Sequence, residues 1–244
     1  MPLHFLLDDP IAAGPGEDVV LLGAEAHHAA TVRRVRVGEA VTVGDGRGVW
    51  LTGDCVSVEP RRVVVHVRRR EEVPEPTTRI VVVQALAKGD RDELAIQAAT
   101  ELGADEIVPW QAARSVSRWD AAKAEKGRSR WSAIVREAAK QAHRAWVPDV
   151  SALITTKELA RWGEASRTLV LDPTARHRLA AIDLRAGGSD IVIVVGPEGG
   201  ITPDELGLLE RGGASLVRLG DTVLRTSTAG PAALAVVSAA LGRW

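Results

Sequence analysis

The chain has 244 residues, of which 45% are hydrophobic, and a formal net charge of −1. That length supports a buried core and one large or two modest domains, and no run of about 20 apolar residues is available to span a bilayer. The single cysteine, Cys55, excludes an internal disulfide, and a cysteine-based metal site is implausible; no metal is expected.

Phe5, Leu6 and Leu7 form a short apolar patch closed by Asp8 and Asp9. It lacks the basic start and longer apolar stretch of a secretory signal, so a cytoplasmic protein is expected. The next 60 or so residues are rich in short β-branched runs, at Val19 to Leu22, Ala40 to Gly44, Val49 to Val58 and Arg61 to Val67. Asp45-Gly46-Arg47-Gly48 predicts a hairpin turn between the second and third of them. A helix is expected at about Ala24 to Arg34, and Cys55 is expected to be a buried strand residue. Strands at this spacing suggest a small barrel. Pro74 and Pro76 mark a linker over residues 73–78, because proline removes a backbone donor and favours extended chain.

Beyond the linker the pattern becomes an alternation of strand and helix. Strands are predicted at Ile80 to Leu86, Ile107 to Trp110, Thr168 to Leu171, Ile191 to Val195 and Leu216 to Leu219. Helices are predicted at Asp90 to Leu102, with Leu94, Ala98 and Leu102 on one face, and at Arg128 to Trp146, with Trp131, Val135 and Ala139 at helical spacing. Two more follow at Pro203 to Arg211 and Thr228 to Leu241. Ile191 to Val195 is almost wholly apolar, as a strand buried on both faces of a parallel sheet must be. The whole is an α/β layered domain over residues 79–244, preceded by a β-rich domain over residues 1–72.

Although the net charge is close to zero, Arg114 to Arg144 holds nine basic residues against Asp120, Glu125 and Glu137. That segment is either a phosphate-binding patch or a solvated helix face.

Three strand-to-helix turns could carry chemistry. The first is Gly196-Pro197-Glu198-Gly199-Gly200, followed by Thr202-Pro203-Asp204-Glu205. Thr202 is a good N-cap, Pro203 suits the first helical position and Glu205 completes a capping box. The glycines allow a ligand to approach the backbone at the carboxyl end of a strand, although an ordinary tight turn has the same composition. The second, Leu219 to Gly230, places Arg225 among small and hydroxyl residues. There it could hold a phosphate or a developing anion, or lie on the surface beside a capped helix. The third, Leu86 to Arg91, offers Lys88 and Arg91 either to a substrate or to solvent. The three-glycine dinucleotide fingerprint and the phosphate loop ending in Lys and Ser or Thr are both absent, which weighs against nicotinamide and ATP chemistry.

Together these segments resemble the 16S rRNA (uracil-N3)-methyltransferase family of the SPOUT class, nearly end to end. The resemblance lies in His27-His28 with Val32-Arg33-Arg34, in Lys88-Gly89-Asp90-Arg91, in Ala99 to Gly103, in Arg114-Ser115-Val116 and in Glu137 to Gln141. Its most specific part is Val195 to Gly200 taken together with Leu219-Gly220 and Val223 to Thr226. The resemblance implies an N-terminal PUA-like β-barrel, a C-terminal trefoil-knotted methyltransferase domain, a homodimer and a 16S rRNA substrate within the small ribosomal subunit. It implies S-adenosylmethionine held by Leu171, Gly196, Pro197, Gly199, Gly200, Ile201, Leu219, Gly220, Leu224 and Thr226. Arg225 is then expected to stabilise the uracil anion. Glu198 would either assist removal of the N3 proton or shape the loop. Arg33, Arg34, Lys88, Arg91, Arg114 and Arg118 are expected to face RNA. The chain departs from the family pattern at Ala98, at Asp221-Thr222 and at Ser227, where many members carry lysine, a Pro-Arg pair and glutamate. A SPOUT methyltransferase acting on tRNA, a non-catalytic RNA-binding or assembly factor and a nucleotide-dependent α/β enzyme are the rival readings.

Overall fold

The structure, a computed structural model, describes residues 2–185 and 189–244. It divides into two units, one made of Met1–Glu75 with Ala139–Val147, the other of Pro76–Ala138 with Pro148–Trp244.

The first unit is built on a five-stranded sheet. Its strands are β1 (Leu3–Leu6), β2 (Asp18–Leu22), β3 (Ala40–Gly44), β4 (Val49–Glu59) and β5 (Arg62–Glu72), in the order β1-β3-β4-β5-β2. β1 runs parallel to β3 and the other pairings are antiparallel. A short helix, α1 (Gly23–His27), continues into a π-helical turn over His28–Val32. Alternation along the strands sends Val41, Val43, Leu51, Val63 and Val65 into one core with Phe5 and Leu21. Cys55 joins that core at 1% exposure, and burial pushes its thiol up to about 11, which makes it inert. β1 was not expected. Its four residues, closed by Asp8, Asp9 and Pro10, are too few to show a period. The expected turn forms at Asp45, whose carboxylate accepts the N–H groups of Arg47 and Val49 at 2.8 and 3.2 Å.

In the second unit every pairing among the described strands is parallel. In chain order the elements are β6 (Ile80–Ala85), α2 (Arg91–Glu101), β7 (Glu106–Gln111), α3 (Ala121–Gln141), β8 (Asp149–Val150), β9 (Ile154–Thr155), α4 (Thr156–Leu159), β10 (Arg167–Leu171), β11 (His177–Arg178), β12 (Ile191–Val195), α5 (Pro203–Arg211), β13 (Ser215–Arg218) and α6 (Thr226–Leu241). The strand order is β11-β13-β10-β12-β6-β7-β8, with β9 also paired to β7. β12 lies between β10 and β6, and all five of its residues are buried, as its apolar sequence requires. On one face Val81, Val83, Val108, Trp110, Val170, Val192 and Val194 pack with Leu159 and Leu209.

Two helices differ from expectation. α2 buries Ala95, Ile96, Ala99 and Thr100, while Leu94 is 51% exposed. The small residues on its inner side let it pack closely on α6, so the leucine-bearing face is the outer one. α3 starts at Ala121 and stops at Gln141, not at Trp146. His143 takes a left-handed conformation (φ 55°), and the Arg144 N–H closes the end on Ala139 C=O at 2.9 Å. The chain released there pairs in the first unit, where Val147 N–H donates to Gly46 C=O and Gly48 N–H to Ala145 C=O, both at 3.0 Å.

Candidate active site

A cavity of about 720 Å³ opens at the carboxyl ends of β10, β12 and β13, where parallel sheets bind ligands. Three loops build it, at residues 172–174, 196–201 and 219–225. Leu171, Val195, Ile201, Leu206, Val217, Leu219, Val223 and Leu224 supply apolar wall. Mostly apolar surface with a few placed polar groups is the make-up of a small-molecule site.

The first wall is the glycine-rich turn. Gly200 has φ 72°, a backbone region that favours glycine, and a Cβ on Gly196 would lie 2.7 Å from Ile201 Cγ1. The expected capping box forms at the start of α5, with Thr202 and Glu205 exchanging side-chain and backbone hydrogen bonds. Glu205 does more than cap. It is 7% exposed, and its carboxylate also accepts the Ala113 N–H and the Thr156 hydroxyl, both at 2.8 Å. Burial alone would raise its proton affinity, but these four donors hold it below the usual carboxylate range. One side chain therefore fixes α5, α4 and the loop after β7.

The second wall, after β13, is held at both ends. At its start Arg178 Nη2 lies 3.0 Å from each oxygen of Asp221, with Arg218 Nη2 3.8 Å away on the same carboxylate. At its end Thr226 donates to Gly196 C=O at 2.9 Å and accepts from Gln84 Nε2 at 3.0 Å. Gln84 is fully buried at the end of β6. Between these anchors Arg225 lines the cavity, and its guanidinium has no partner among the described residues.

The third wall is charged. Glu198 accepts the Lys88 N–H at 3.1 Å and Arg91 Nη1 at 2.9 Å. Burial opposes its ionisation, but backbone N–H groups and the Arg91 guanidinium outweigh it and keep the carboxyl below its usual range. Arg114 Nη1 donates to Gly199 C=O at 2.9 Å.

The fold brings most of the predicted residues together here. All the expected cofactor residues line the cavity except Gly199, which faces the Arg114 side chain, and both expected catalytic residues, Arg225 and Glu198, line it too. Of the six expected RNA-facing residues, Arg91 and Arg114 lie at the same cavity. Lys88 lines a second one nearby, and Arg118 is exposed with its guanidinium on Ala113 C=O at 3.1 Å. Arg33 and Arg34 are exposed in the first unit, just past the π-helical turn. The basic segment is partly engaged by the protein's own groups. Arg130 pairs with Glu93, Arg128 Nε donates to Val150 C=O, and Lys140, 4% exposed, pairs with Glu25 at 2.9 Å. Sequence reasoning missed Asp172, Thr174 and Arg218 at the cavity, and the partners of Asp221. The Asp-Pro-Thr that follows β10 was the available signal for the first two, since a polar turn at that strand end faces the ligand.

Residues 73–238 match the family model described as an RNA methyltransferase domain, and residues 21–67 match the RNA methyltransferase PUA domain. The Mycobacterium bovis protein called ribosomal RNA small subunit methyltransferase E is 46% identical over 94% of this chain and 89% of its own length. Its Bacillus subtilis namesake is 33% identical over 89% and 88%. Among solved structures, a Neisseria gonorrhoeae ribosomal RNA small subunit methyltransferase E bound to S-adenosyl methionine superposes with a TM-score of 0.86 at 30% identity, covering 98% of both chains. A putative methyltransferase from Legionella pneumophila with bound cofactor SAM superposes with a TM-score of 0.85 at 27% identity, again over 98% of each. Among the described residues no helix is long and apolar enough to cross a membrane.

Proposed function

The chain belongs to the RNA methyltransferase family that includes the ribosomal RNA small subunit methyltransferases E, and from that premise we propose that it methylates N3 of a uridine in 16S rRNA within the small subunit. The chain is an S-adenosylmethionine-dependent RNA methyltransferase with an α/β methyltransferase fold and a PUA domain. The finer reading adds a trefoil knot in the part from residue 79 to 244. It makes residues 1–72 a barrel that grips RNA, joined by a linker over 73–78, and makes the working form a homodimer. Val223 and the adjoining Leu224, 80% and 37% exposed at the cavity, support the last point, since neighbouring apolar side chains open to water suit a surface covered by a second copy.

The cavity fits the cofactor. Its apolar walls suit a nucleoside, and the backbone around Gly196, Gly200 and Gly220 suits its polar edges. When bound, S-adenosylmethionine supplies an electrophilic methyl group, which needs no metal.

Uracil N3 is a poor nucleophile until its proton leaves. The resulting anion spreads its charge to two carbonyl oxygens. Arg225 is the cation at the cavity with no partner among the described residues, so its guanidinium is free to meet that charge. Holding it on a loop tied down at Asp221 and Thr226 sets the cation in place before the base arrives. Glu198 is committed to Lys88 N–H and Arg91, which suits a positioning role over that of proton acceptor.

The unpartnered Arg225 in a cavity walled by three strand-end loops carries this reading. The test is to incubate the protein with radiolabelled S-adenosylmethionine and small subunits from cells lacking it, then digest the RNA and separate the nucleosides. Label in 3-methyluridine is the expected result. Label appearing only with tRNA would overturn the substrate, and no transfer to any RNA would overturn the activity.

A further inference from the structure

A second cavity, of about 270 Å³, shares two short segments with the first. Arg91 lines the larger cavity while Ala87, Lys88 and Gly89 line the smaller. Arg114 lines the larger while Val116 and Ser117 line the smaller. No part of the reaction described above uses it.

One wall is the Trp119 indole, and the protein is built to hold that ring still. Trp131, itself 1% exposed, meets it in an edge-to-face pair with ring centroids 5.4 Å apart and an interplanar angle of 72°. Gly127 also lies against the indole. A Cβ there would lie 2.5 Å from the indole, so α3 carries at this point the least favourable helix residue after proline. The rest of the lining includes charged groups. Asp92 is 5% exposed, and among the described residues its carboxylate accepts backbone N–H groups alone, from Ala87 at 3.0 Å and Glu93 at 2.9 Å. The Glu93–Arg130 ion pair borders the cavity, and the exposed Lys88 ammonium has no carboxylate partner among the described residues.

A held aromatic ring, carboxylate acceptors and a lysine with no carboxylate partner among the described residues together suit a planar group that carries N–H donors beside a phosphate. The volume lies just under the usual small-molecule range of roughly 300–1,000 Å³, which leaves room for one ring system and not for a whole nucleoside cofactor. RNA is read where bases are unstacked, splayed onto aromatic side chains and bonded along their edges, and taking one base out of a strand exposes its neighbours.

We propose that the cavity between Lys88, Asp92 and Trp119 is a subsite for one unpaired RNA base next to the base being methylated, and that it prefers bases bearing an exocyclic amine. Adenine, cytosine and guanine offer that amine to the Asp92 side; uracil does not. Lys88 neutralises the phosphate between the two bases. This rests on the RNA-methylation reading, but it is tested by binding.

The experiment titrates the full chain into fluorescently labelled tetraribonucleotides of cytidine, adenosine and uridine and follows anisotropy. The cytidine and adenosine tetramers are expected to bind about fivefold tighter than the uridine tetramer or better. Trp119→Ala should cost them about tenfold, in keeping with the worth of one stacked base, and Trp119→His should restore most of it. Lys88→Gln should weaken all three tetramers alike, because a phosphate contact carries no base preference. Val116→Asp, at a position 65% exposed and so tolerant of change, should repel the strand at the cavity and does not depend on Trp119 folding correctly. S-adenosylmethionine affinity should stay within about twofold in every variant, as expected for residues outside its cavity. Equal affinity for the three tetramers, or Trp119→Ala and Val116→Asp both binding as wild type, overturns the subsite. Base-selective binding without methyl transfer to any RNA overturns the enzymatic reading and not the subsite; methyl transfer without base selectivity does the reverse.

Discussion

Arg91 holds Glu198 at 2.9 Å, and the Lys88 N–H joins it on the same carboxylate oxygen. The pair ties the start of α2 to the glycine-rich turn across 107 residues of sequence. On the proposed reading a carboxylate so engaged positions a loop, and Arg225 is the group that would meet charge developing in the reaction. Arg225→Ala should lower kcat by about 10²–10³-fold, the usual cost of removing one preorganised donor. Glu198→Gln should cost about fivefold or less, the scale of a partly exposed ion pair. Single-turnover methylation rates of the two variants separate these roles. A loss with Glu198→Gln as large as with Arg225→Ala, together with loss of the acid limb of the pH profile, would make Glu198 the proton acceptor instead.

The latch at Asp221 leads to a different kind of effect. Asp221 and Arg178 are 72% and 53% exposed, so the bridge adds little to overall stability. It does restrain the loop that forms one wall of the cavity. Asp221→Ala should leave the thermal midpoint of the cofactor-free protein unchanged and speed S-adenosylmethionine dissociation by roughly two- to fivefold. Stopped-flow release is the measurement. An unchanged off-rate would mean that Thr226 and Gly196 hold the loop unaided.

Glu205 should behave as a structural residue despite lying beside the site. Glutamine keeps its size but replaces one acceptor oxygen with a donor that faces donors. Glu205→Gln should cost about 2 kcal/mol or more, as lost hydrogen bonds to a buried charge do. The folded carboxyl titrates below its ordinary value of 4.5, so its contribution is complete above that pH and is lost as the pH falls through the lower, folded value. Denaturant melts should therefore show wild type and variant far apart at pH 7 and converging below pH 4.5.

Most of the site was legible because its chemistry sits in contiguous strand-to-helix turns. Thr202 to Glu205 announced a capping box, and the wholly apolar Ile191 to Val195 announced a central parallel strand. What stayed hidden depends on residues distant in sequence. Nothing near Glu205 in the chain indicates that Ala113 and Thr156 will both donate to it, 92 and 49 residues away. The end of α3 was misread for a related reason. Ala142 to Trp146 has acceptable helix formers, and it is the β3–β4 turn, reached only in the folded unit, that draws Val147 and Ala145 out of the helix. β8, β9 and β11 have two residues each and offer no period to read.

His4 should set the acid stability of the first unit. Its ring stacks on Trp50 with centroids 4.2 Å apart and planes 11° from parallel, and His143 lies 5.5 Å away. Nδ1 pairs with the Thr42 hydroxyl at 2.9 Å, while Nε2 is buried without a partner among the described residues, so a second ring proton finds no acceptor among them. Burial, then the charges of His143 and Lys140, lower its pKa from 6.5 to about 3. In the unfolded chain the ring takes its proton near 6.5, and in the folded unit it resists. Stability is therefore complete above pH 6.5 and falls as the pH drops toward 3, with a slope of up to about 1.4 kcal/mol per pH unit from this one group. His143, also lowered by burial, adds in the same direction. His4→Asn removes the titration and should flatten the dependence between pH 6.5 and 4, at some cost in stability at pH 7 from the lost stacking on Trp50. Urea melts of both proteins at half-unit steps of pH measure the slope. An equal slope in the variant would mean that other groups carry the acid sensitivity.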